Sequence, residues 1–197
     1  MEELKQSNPD KLPEQTPLPK ATFREMTILV SVAGLALVLD QWTKNIVEAN
    51  MPLNSISVPF PAIEEIFRFT HVANTGAAFG MFQNGGTVFM IFAVIVSIGI
   101  LYYNFFGLEG NQRLMRVALG LQLGGALGNF IDRVRIGHVT DFIDIGPWYI
   151  FNVADMSIVG GAIVLGFIVF QEMREERAQA QLAEKATSQS QQQQPTQ

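Results

Sequence analysis

Four aspartates lie close together in a polar stretch between apolar segments. Asp132, Asp141, Asp144 and Asp155 all fall within residues 124–155. Ionised side chains beside membrane-like sequence are costly unless they have partners or a function. Two aspartates held close enough to share a proton can hydrolyse a peptide, because one activates water while the other donates a proton. This stretch is therefore a candidate catalytic segment.

Composition argues against several other kinds of site. The 197-residue chain has no Cys, which excludes thiol catalysis, disulfides and thiolate metal ligands. Its two His residues, His71 and His138, lack ligand spacing, so we predict no metal and no cofactor and treat His138 as structural. No Ser lies in a recognisable triad pattern. The net charge of −5 and the dispersed Lys and Arg residues argue against nucleic-acid binding.

The composition is typical of a membrane protein. Hydrophobic residues make up 48% of the chain and charged residues only 16%, against about 25% charged in soluble domains. Four segments have close to the roughly 20 residues that cross a bilayer: residues 23–44, 87–106, 114–132 and 154–173. The third is rich in Gly and contains Gln122 and Asn129, so its polar groups should face protein or a wet cavity.

The connections between the spans carry strand patterns. Four short segments have the alternation and the β-branched or aromatic content of strands: residues 55–60, 66–72, 139–145 and 148–151. The last two would form a hairpin that turns at Gly146. We predict a small sheet outside the membrane, built from about residues 50–80 and 138–152. Loop 50–69 is expected to close over the site as a lid.

The two ends of the chain are polar and of biased composition. Residues 1–22 contain four prolines and are predicted to form a disordered cytoplasmic arm. Residues 174–197 begin as a charged helix end and become a Gln-rich, low-complexity tail that is predicted to be unstructured. The membrane domain is accordingly placed at residues 23–173.

The basic residues predict the orientation of the spans. With both termini in the cytoplasm, nine of the thirteen Lys and Arg residues fall in cytoplasmic segments, as the positive-inside rule requires. Asp40 and Asp132 then lie at the outer ends of spans one and three, and Asp155 opens span four from the same side. The carboxylates would gather at the outer membrane face.

Residue chemistry leaves three classes of function open. These are an aspartyl hydrolase, an ion or proton pathway, and a purely structural polar network. Four spans without an evident inverted repeat are less typical of a transporter.

Five motifs in chain order resemble those of the lipoprotein signal peptidases, or signal peptidase II. They are DQWTK from Asp40, NTGAAFG from Asn74, GNFIDR from Gly128, GHVTDF from Gly137 and FNVAD from Phe151. Each motif alone is weak, but the ordered set is specific. The resemblance covers roughly residues 23–173.

The resemblance implies a bacterial inner-membrane aspartyl endopeptidase. Its substrates would be prolipoproteins that carry diacylglycerol on the lipobox Cys, cut just before that Cys. The implied fold is an α-helical polytopic membrane protein with four transmembrane helices and a small extracytoplasmic β-cradle, in contact with membrane lipids. We expect a monomer. The alternative is a small polytopic ion or proton transport protein, or a lipoprotein-binding protein, that uses the carboxylates without catalysis.

Carried over by position, the resemblance implies that Asp141 and Asp155 form the catalytic dyad. Asp155 lies in the first turn of its span, where a carboxylate gains from the helix N-terminus, although ordinary capping explains that position equally well. Four further residues match family positions around the substrate: Asn74, Asn129, Arg133 and Asn152. They could instead be turn formers or helix-end hydrogen-bonding residues.

Three residues are expected to support the site. Asp40 and Lys44 have the i, i+4 spacing of an intrahelical ion pair and match the first family motif. Asp132 is expected to orient Arg133 or to satisfy the adjoining loop rather than to catalyse. Asp144 is expected to face water.

Overall fold

The computed structural model describes residues 23–76, 85–108 and 112–192. The described residues form four long helices, three strands and one 3-10 turn, in this order: α1 (Phe23–Asn50), β1 (Ile56–Ser57), the turn (Pro61–Ile63), β2 (Arg68–Asn74), α2 (Gly86–Phe106), α3 (Arg113–Ile136), β3 (Val139–Asp144) and α4 (Val153–Gln192). The predicted arm at residues 1–22 and residues 77–80 of the NTGAAFG motif lie outside the described residues.

The four predicted membrane spans are confirmed. Each long helix has the length and hydropathy needed to cross a bilayer. Helix α3 is the central one, because 44% of its span is buried inside the protein, against 17% for α2 and for α4. Apolar side chains on the outer helices face outward, as expected for a lipid-exposed surface.

Glycines of α3 let its neighbours approach closely. A Cβ on Gly124 would lie 2.6 Å from the carbonyl oxygen of Ala33 in α1, and one on Gly125 would collide with the carbonyl oxygen of Ala154 in α4. Close backbone approach through small residues is a common way to pack membrane helices. The Gly-rich sequence of the third span therefore reflects its central position.

The small sheet outside the membrane spans is also present. Its strands are antiparallel in the order β1-β2-β3, with Arg68 opposite Asp144 and Asn74 opposite Val139 in the β2–β3 pair. The predicted loop at residues 50–69 contains β1 and the 3-10 turn, with exposed Phe60 among its apolar side chains. Its closure over the site stays a prediction.

The second predicted hairpin was wrong in part. Only Phe151 pairs with β3, as an isolated antiparallel bridge to Ile143, and residues 148–150 form no strand. The chain turns at Gly146, whose φ is +52°. Pro147 has no N–H to donate to a ladder, so pairing resumes only at Phe151.

The charged helix end predicted after residue 173 is present, but α4 then continues as helix to Gln192, so the prediction of an unstructured Gln-rich tail was wrong up to that residue. Residues 193–197 of the tail lie outside the described residues. The reason is composition. Ala, Gln, Glu, Arg and Lys are strong helix formers, and this segment contains neither Gly nor Pro before Pro195. Helix propensity extends the span beyond its apolar part.

Candidate active site

The start of α4 is a reciprocal cap made by two predicted site residues. The side-chain Oδ1 of Asn152 accepts a hydrogen bond from the N–H of Asp155 at 2.9 Å, and Oδ2 of Asp155 accepts one from the N–H of Asn152 at 3.3 Å. This is the geometry of a capping box, with Asn and Asp in place of Ser and Glu. The cap fixes the carboxylate of Asp155 at the positive end of the helix dipole.

Asp141 lies in β3 and is buried, with 2% of its surface exposed. Its Oδ1 accepts a hydrogen bond from the amide of Asn152 at 2.6 Å, and its Oδ2 accepts one from the amide of Asn74 at 2.8 Å. Asn74 ends β2, the strand paired with β3. Strand pairing and the α4 cap therefore hold Asp141 from two sides.

Asn129 of α3 connects the two aspartates to the supporting residues. Its amide nitrogen donates to Oδ1 of Asp155 at 2.8 Å. Its amide oxygen accepts from Asn152 at 3.1 Å and from Nζ of Lys44 at 2.9 Å. Because Lys44 can only donate, the oxygen of Asn129 must face it, and the nitrogen must face Asp155.

The expected ion pair of Asp40 and Lys44 is present and fully buried. Nζ of Lys44 lies 2.8 Å from Oδ2 of Asp40 and 2.9 Å from Oδ2 of Asp132, and none of the three side chains is exposed. Oδ1 of Asp40 accepts a hydrogen bond from the N–H of Ala154 at 2.8 Å. This cluster joins α1, α3 and the first turn of α4.

Asp132 supports the site, but not by orienting Arg133. Besides Lys44, its carboxylate accepts hydrogen bonds from the amide of Gln41 at 2.9 Å and from the N–H of Thr140 at 3.2 Å. The helical turn places Arg133 on a different face, where its guanidinium donates to the carbonyl oxygen of Gly76 at 3.1 Å. Asp132 therefore holds the start of β3 against α1.

Asp144 does not face water, contrary to expectation. It is 3% exposed, and its Oδ2 accepts from Nε of Arg68 at 2.7 Å and from the hydroxyl of Thr70 at 2.8 Å. The β2–β3 register places Arg68 directly opposite Asp144. This cross-strand pairing explains its burial and gives it a structural role.

A polar cavity of about 150 Å³ brings most of the predicted site residues together. Its walls include Asp141, Asp155, Asn74, Asn129 and Arg133. Asn152 is fully buried behind this wall and does not line the cavity.

Tyr149 also lines the cavity, although none of the five motifs contains it. Burial and the charges of Asp155 and Asp141 raise the pKa of its hydroxyl. The only sequence signal was its position between the two aspartates. That position could not show which way its ring points.

Thr140, Glu48 and Arg135 were also missed. The hydroxyl of Thr140 donates to Oε1 of Glu48 at 2.8 Å, and the guanidinium of Arg135 donates to both carboxylate oxygens of Glu48 at 2.6 and 2.8 Å. These bonds anchor β3 to α1 and α3 directly beside Asp141.

The electrostatic environment of Asp141 favours its protonated form. Burial, followed by the nearby negative charge of Asp155, raises the pKa of Asp141 to about 7. The hydrogen bonds from Asn74 and Asn152 and the charge of Lys44 act in the opposite direction. Asp141 therefore holds a proton near neutral pH that an ordinary carboxyl would lose.

Two carboxylates in one polar cavity, one on β3 and one in the first turn of α4, define a multi-pass membrane protein with the site expected of an aspartic hydrolase. Residues 32–171 match the family model described as signal peptidase (SPase) II. The lipoprotein signal peptidase of Moorella thermoacetica is 44% identical over 135 residues, covering 68% of this chain and 87% of that protein. That of Caldanaerobacter subterraneus is 43% identical over 142 residues, covering 71% and 94%.

Two solved structures are also similar, and both are described as a bacterial membrane enzyme determined by the in meso method. The one at 2.3 Å resolution has a TM-score of 0.69 and 34% identity, covering 78% of this chain and 93% of its own. The one at 1.9 Å has a TM-score of 0.65 and 35% identity, covering 76% and 96%.

The chain belongs to the signal peptidase II family of aspartic peptidases. It is a multi-pass bacterial membrane enzyme that removes signal peptides from prolipoproteins. The alternative of a transport or non-catalytic binding protein is not favoured.

Proposed function

We propose that the enzyme cuts diacylglyceryl-modified prolipoproteins just before the lipidated Cys, with Asp141 and Asp155 as its catalytic pair. The observation that carries this proposal is the shared cavity, which both carboxylates line. Amide donors from β2, α3 and the start of α4 hold the two carboxylates. Such preorganisation is what a hydrolytic pair requires.

In the proposed mechanism, Asp155 is the base and Asp141 is the acid. The N-terminus of α4 favours the anionic form of Asp155, while the raised pKa of Asp141 keeps its proton. Asp155 removes a proton from water as the water oxygen attacks the scissile carbonyl, and Asp141 protonates the carbonyl oxygen. The tetrahedral intermediate collapses when the proton held by Asp155 passes to the leaving nitrogen and Asp141 recovers its own.

The other polar residues divide into two groups. Asn74, Asn129 and Arg133 line the cavity and are proposed to contact the substrate backbone. The Arg133 guanidinium lies 5.2 Å from the ring centroid of Phe89, which limits its rotation. Asn152 is proposed to position Asp141 without touching the substrate, because it is fully buried.

The site is proposed to lie at the extracytoplasmic face, with both termini in the cytoplasm. The distribution of Lys and Arg residues supports this orientation. In that arrangement the acyl chains of the substrate stay in the outer leaflet while its peptide reaches the cavity.

Replacement of either aspartate tests the catalytic pair. Asp141→Asn and Asp155→Asn should each lower kcat by at least about a thousandfold, because the amide supplies neither base nor acid. Cleavage of a diacylglyceryl-modified prolipoprotein by purified enzyme in detergent is the measurement.

Asp144→Asn is a matched control in the same strand, and it should retain cleavage because Asp144 lies outside the cavity. Thermal unfolding of all three variants shows whether each is folded. Substantial cleavage by a folded Asp141→Asn or Asp155→Asn enzyme would remove that residue from the pair.

A further inference from the structure

A second, apolar groove adjoins the catalytic cavity. It has a volume of about 420 Å³, within the usual range for small-molecule sites. We call it the α4 groove, and its lining residues come from the β3–α4 connection and the first turns of α4: Ile145, Trp148, Tyr149, Phe151, Asp155, Met156, Val159, Gly160 and Ile163.

The α4 groove and the catalytic cavity share part of their walls. Tyr149, Asp155 and Val159 line both. Asp155 is the only charged residue among the described residues that line the groove. A ligand in the groove would therefore meet a catalytic carboxylate at one end and apolar side chains along the rest of its length.

The groove lies on the outer surface of the helix bundle, on a helix long and apolar enough to span a membrane. Trp148 and Ile163 are 66% and 68% exposed, and α4 is a membrane-spanning helix here. A chain entering from the bilayer would reach the groove without crossing water, so an acyl chain can occupy it while still attached to a lipid.

The proposed substrate carries acyl chains at the required place. Its lipid is attached to the Cys that follows the scissile bond, and consecutive Cα atoms are about 3.8 Å apart. The glyceryl group must therefore lie within a few bond lengths of Asp155 when the scissile carbonyl is in the cavity. The groove that begins at Asp155 is in position to receive one of the two chains.

We propose that the α4 groove binds one acyl chain of the substrate's diacylglyceryl group. Gly160 determines the preference for long acyl chains, because its lack of a side chain leaves the groove open. The inference rests on the proposed function. Since a bilayer is as apolar as the groove, binding there orients the scissile bond more than it adds affinity. Recognition of the chain places the bond beside Asp155.

Gly160→Leu tests the groove directly. A Cβ on Gly160 would have no atom within 4 Å, so the larger side chain enters the groove without a backbone clash. Gly166→Leu is the matched control, because Gly166 also lies on α4 in open space but not in the groove.

The substrates are two prolipoprotein peptides whose lipids carry either two palmitoyl or two butanoyl chains. Wild type and Gly166→Leu should cleave the palmitoyl peptide with the higher kcat/KM. Gly160→Leu should lose about tenfold on the palmitoyl peptide and stay within about twofold of wild type on the butanoyl peptide. The same chain-length dependence in Gly160→Leu as in wild type would overturn the inference.

Occupancy of the groove can be measured with Gly160 unchanged. In a Trp42→Phe, Asp141→Asn background, Trp148 is the remaining Trp, and a bound substrate with a brominated acyl chain should quench its fluorescence. Equal quenching by brominated phospholipid, measured with unbrominated substrate bound, would show that bilayer lipid occupies the groove and would overturn the proposal.

Failure of the wild-type enzyme to cleave any lipidated peptide would instead count against the proposed function.

Discussion

Asp155 caps its helix and is also the proposed base, two roles that its sequence position presented as alternatives. One carboxylate oxygen accepts from the N–H of Asn152 and completes the helix cap, while the other accepts from the amide of Asn129. Asp155 also lines the cavity that contains Asp141. In the proposed mechanism a single carboxylate can thus be both a cap and a base, because the cap uses only one of its two oxygens.

The proton on Asp141 predicts a pH dependence. With a pKa of about 7 for Asp141, the acid form is lost as pH rises through neutrality, so kcat/KM should fall by up to about tenfold per pH unit above that value. Asn74→Ala removes a hydrogen bond that holds the pKa of Asp141 down, and it should move the alkaline limb to higher pH. Measuring kcat/KM for the wild type and the variant from acid to alkaline buffers gives the pH at which this alkaline fall occurs in each. A limb that stays in place in the variant would show that Asp141 does not set it.

Lys44 is the counterion for two buried carboxylates. Lys44→Met would leave Asp40 buried without a cation and Asp132 with only the guanidinium of Arg135, 3.8 Å away, and breaking a buried ion pair in this way costs about 3–5 kcal/mol. We expect a large loss of thermal stability together with loss of cleavage. Lys185→Met, at an exposed position of α4, is the control. Equal melting temperatures for the two variants would contradict the structural role of Lys44.

At the scale of helices and strands, close packing of α1 on α3 keeps Lys44 in contact with the polar residues of α3. The Cβ of Gly124→Ala would lie 2.6 Å from the carbonyl oxygen of Ala33, so the helices must separate at a cost of roughly 1–3 kcal/mol. Separation would stretch the contacts of Lys44 with α3, so cleavage should also fall. Gly34→Ala in α1, where a Cβ meets no atom within 4 Å, should have little effect on either property. Thermal unfolding and cleavage assays would measure both, and similar results for the two variants would argue against this packing constraint.

Sequence patterns predicted the elements better than the contacts between them. Hydropathy and length were enough for the four spans, because each span is a local property of the chain. Of the two roles expected for Asp132, satisfying the segment that follows α3 is confirmed and orienting Arg133 is not. The exposure of Asp144 was predicted wrongly, since its partner depends on strand register. Asp144 pairs with Arg68, which is 76 residues away in sequence. The order of the motifs assigned Asp141 and Asp155 to the predicted catalytic pair. Composition alone could not distinguish Asp132 from Asp141 as a member of that pair.

For the molecule as a whole, the orientation in the membrane is directly testable. The chain has no Cys, so single substitutions give unambiguous labels. With both termini cytoplasmic, a membrane-impermeant maleimide should label Glu64→Cys in intact spheroplasts and Lys185→Cys only after permeabilisation. Both positions are exposed, which makes them a matched pair. The reverse pattern would place the site on the cytoplasmic side.

The hydrogen bond from Ala154 to Asp40 joins the first and the last helix. During synthesis α1 leaves the ribosome well before α4, so Asp40 must wait for this donor until nearly the whole membrane domain has been translated. Asp155 and its cap enter at the same late stage. If Asp155 is the base, as proposed, a nascent chain that has not yet added α4 has no working site.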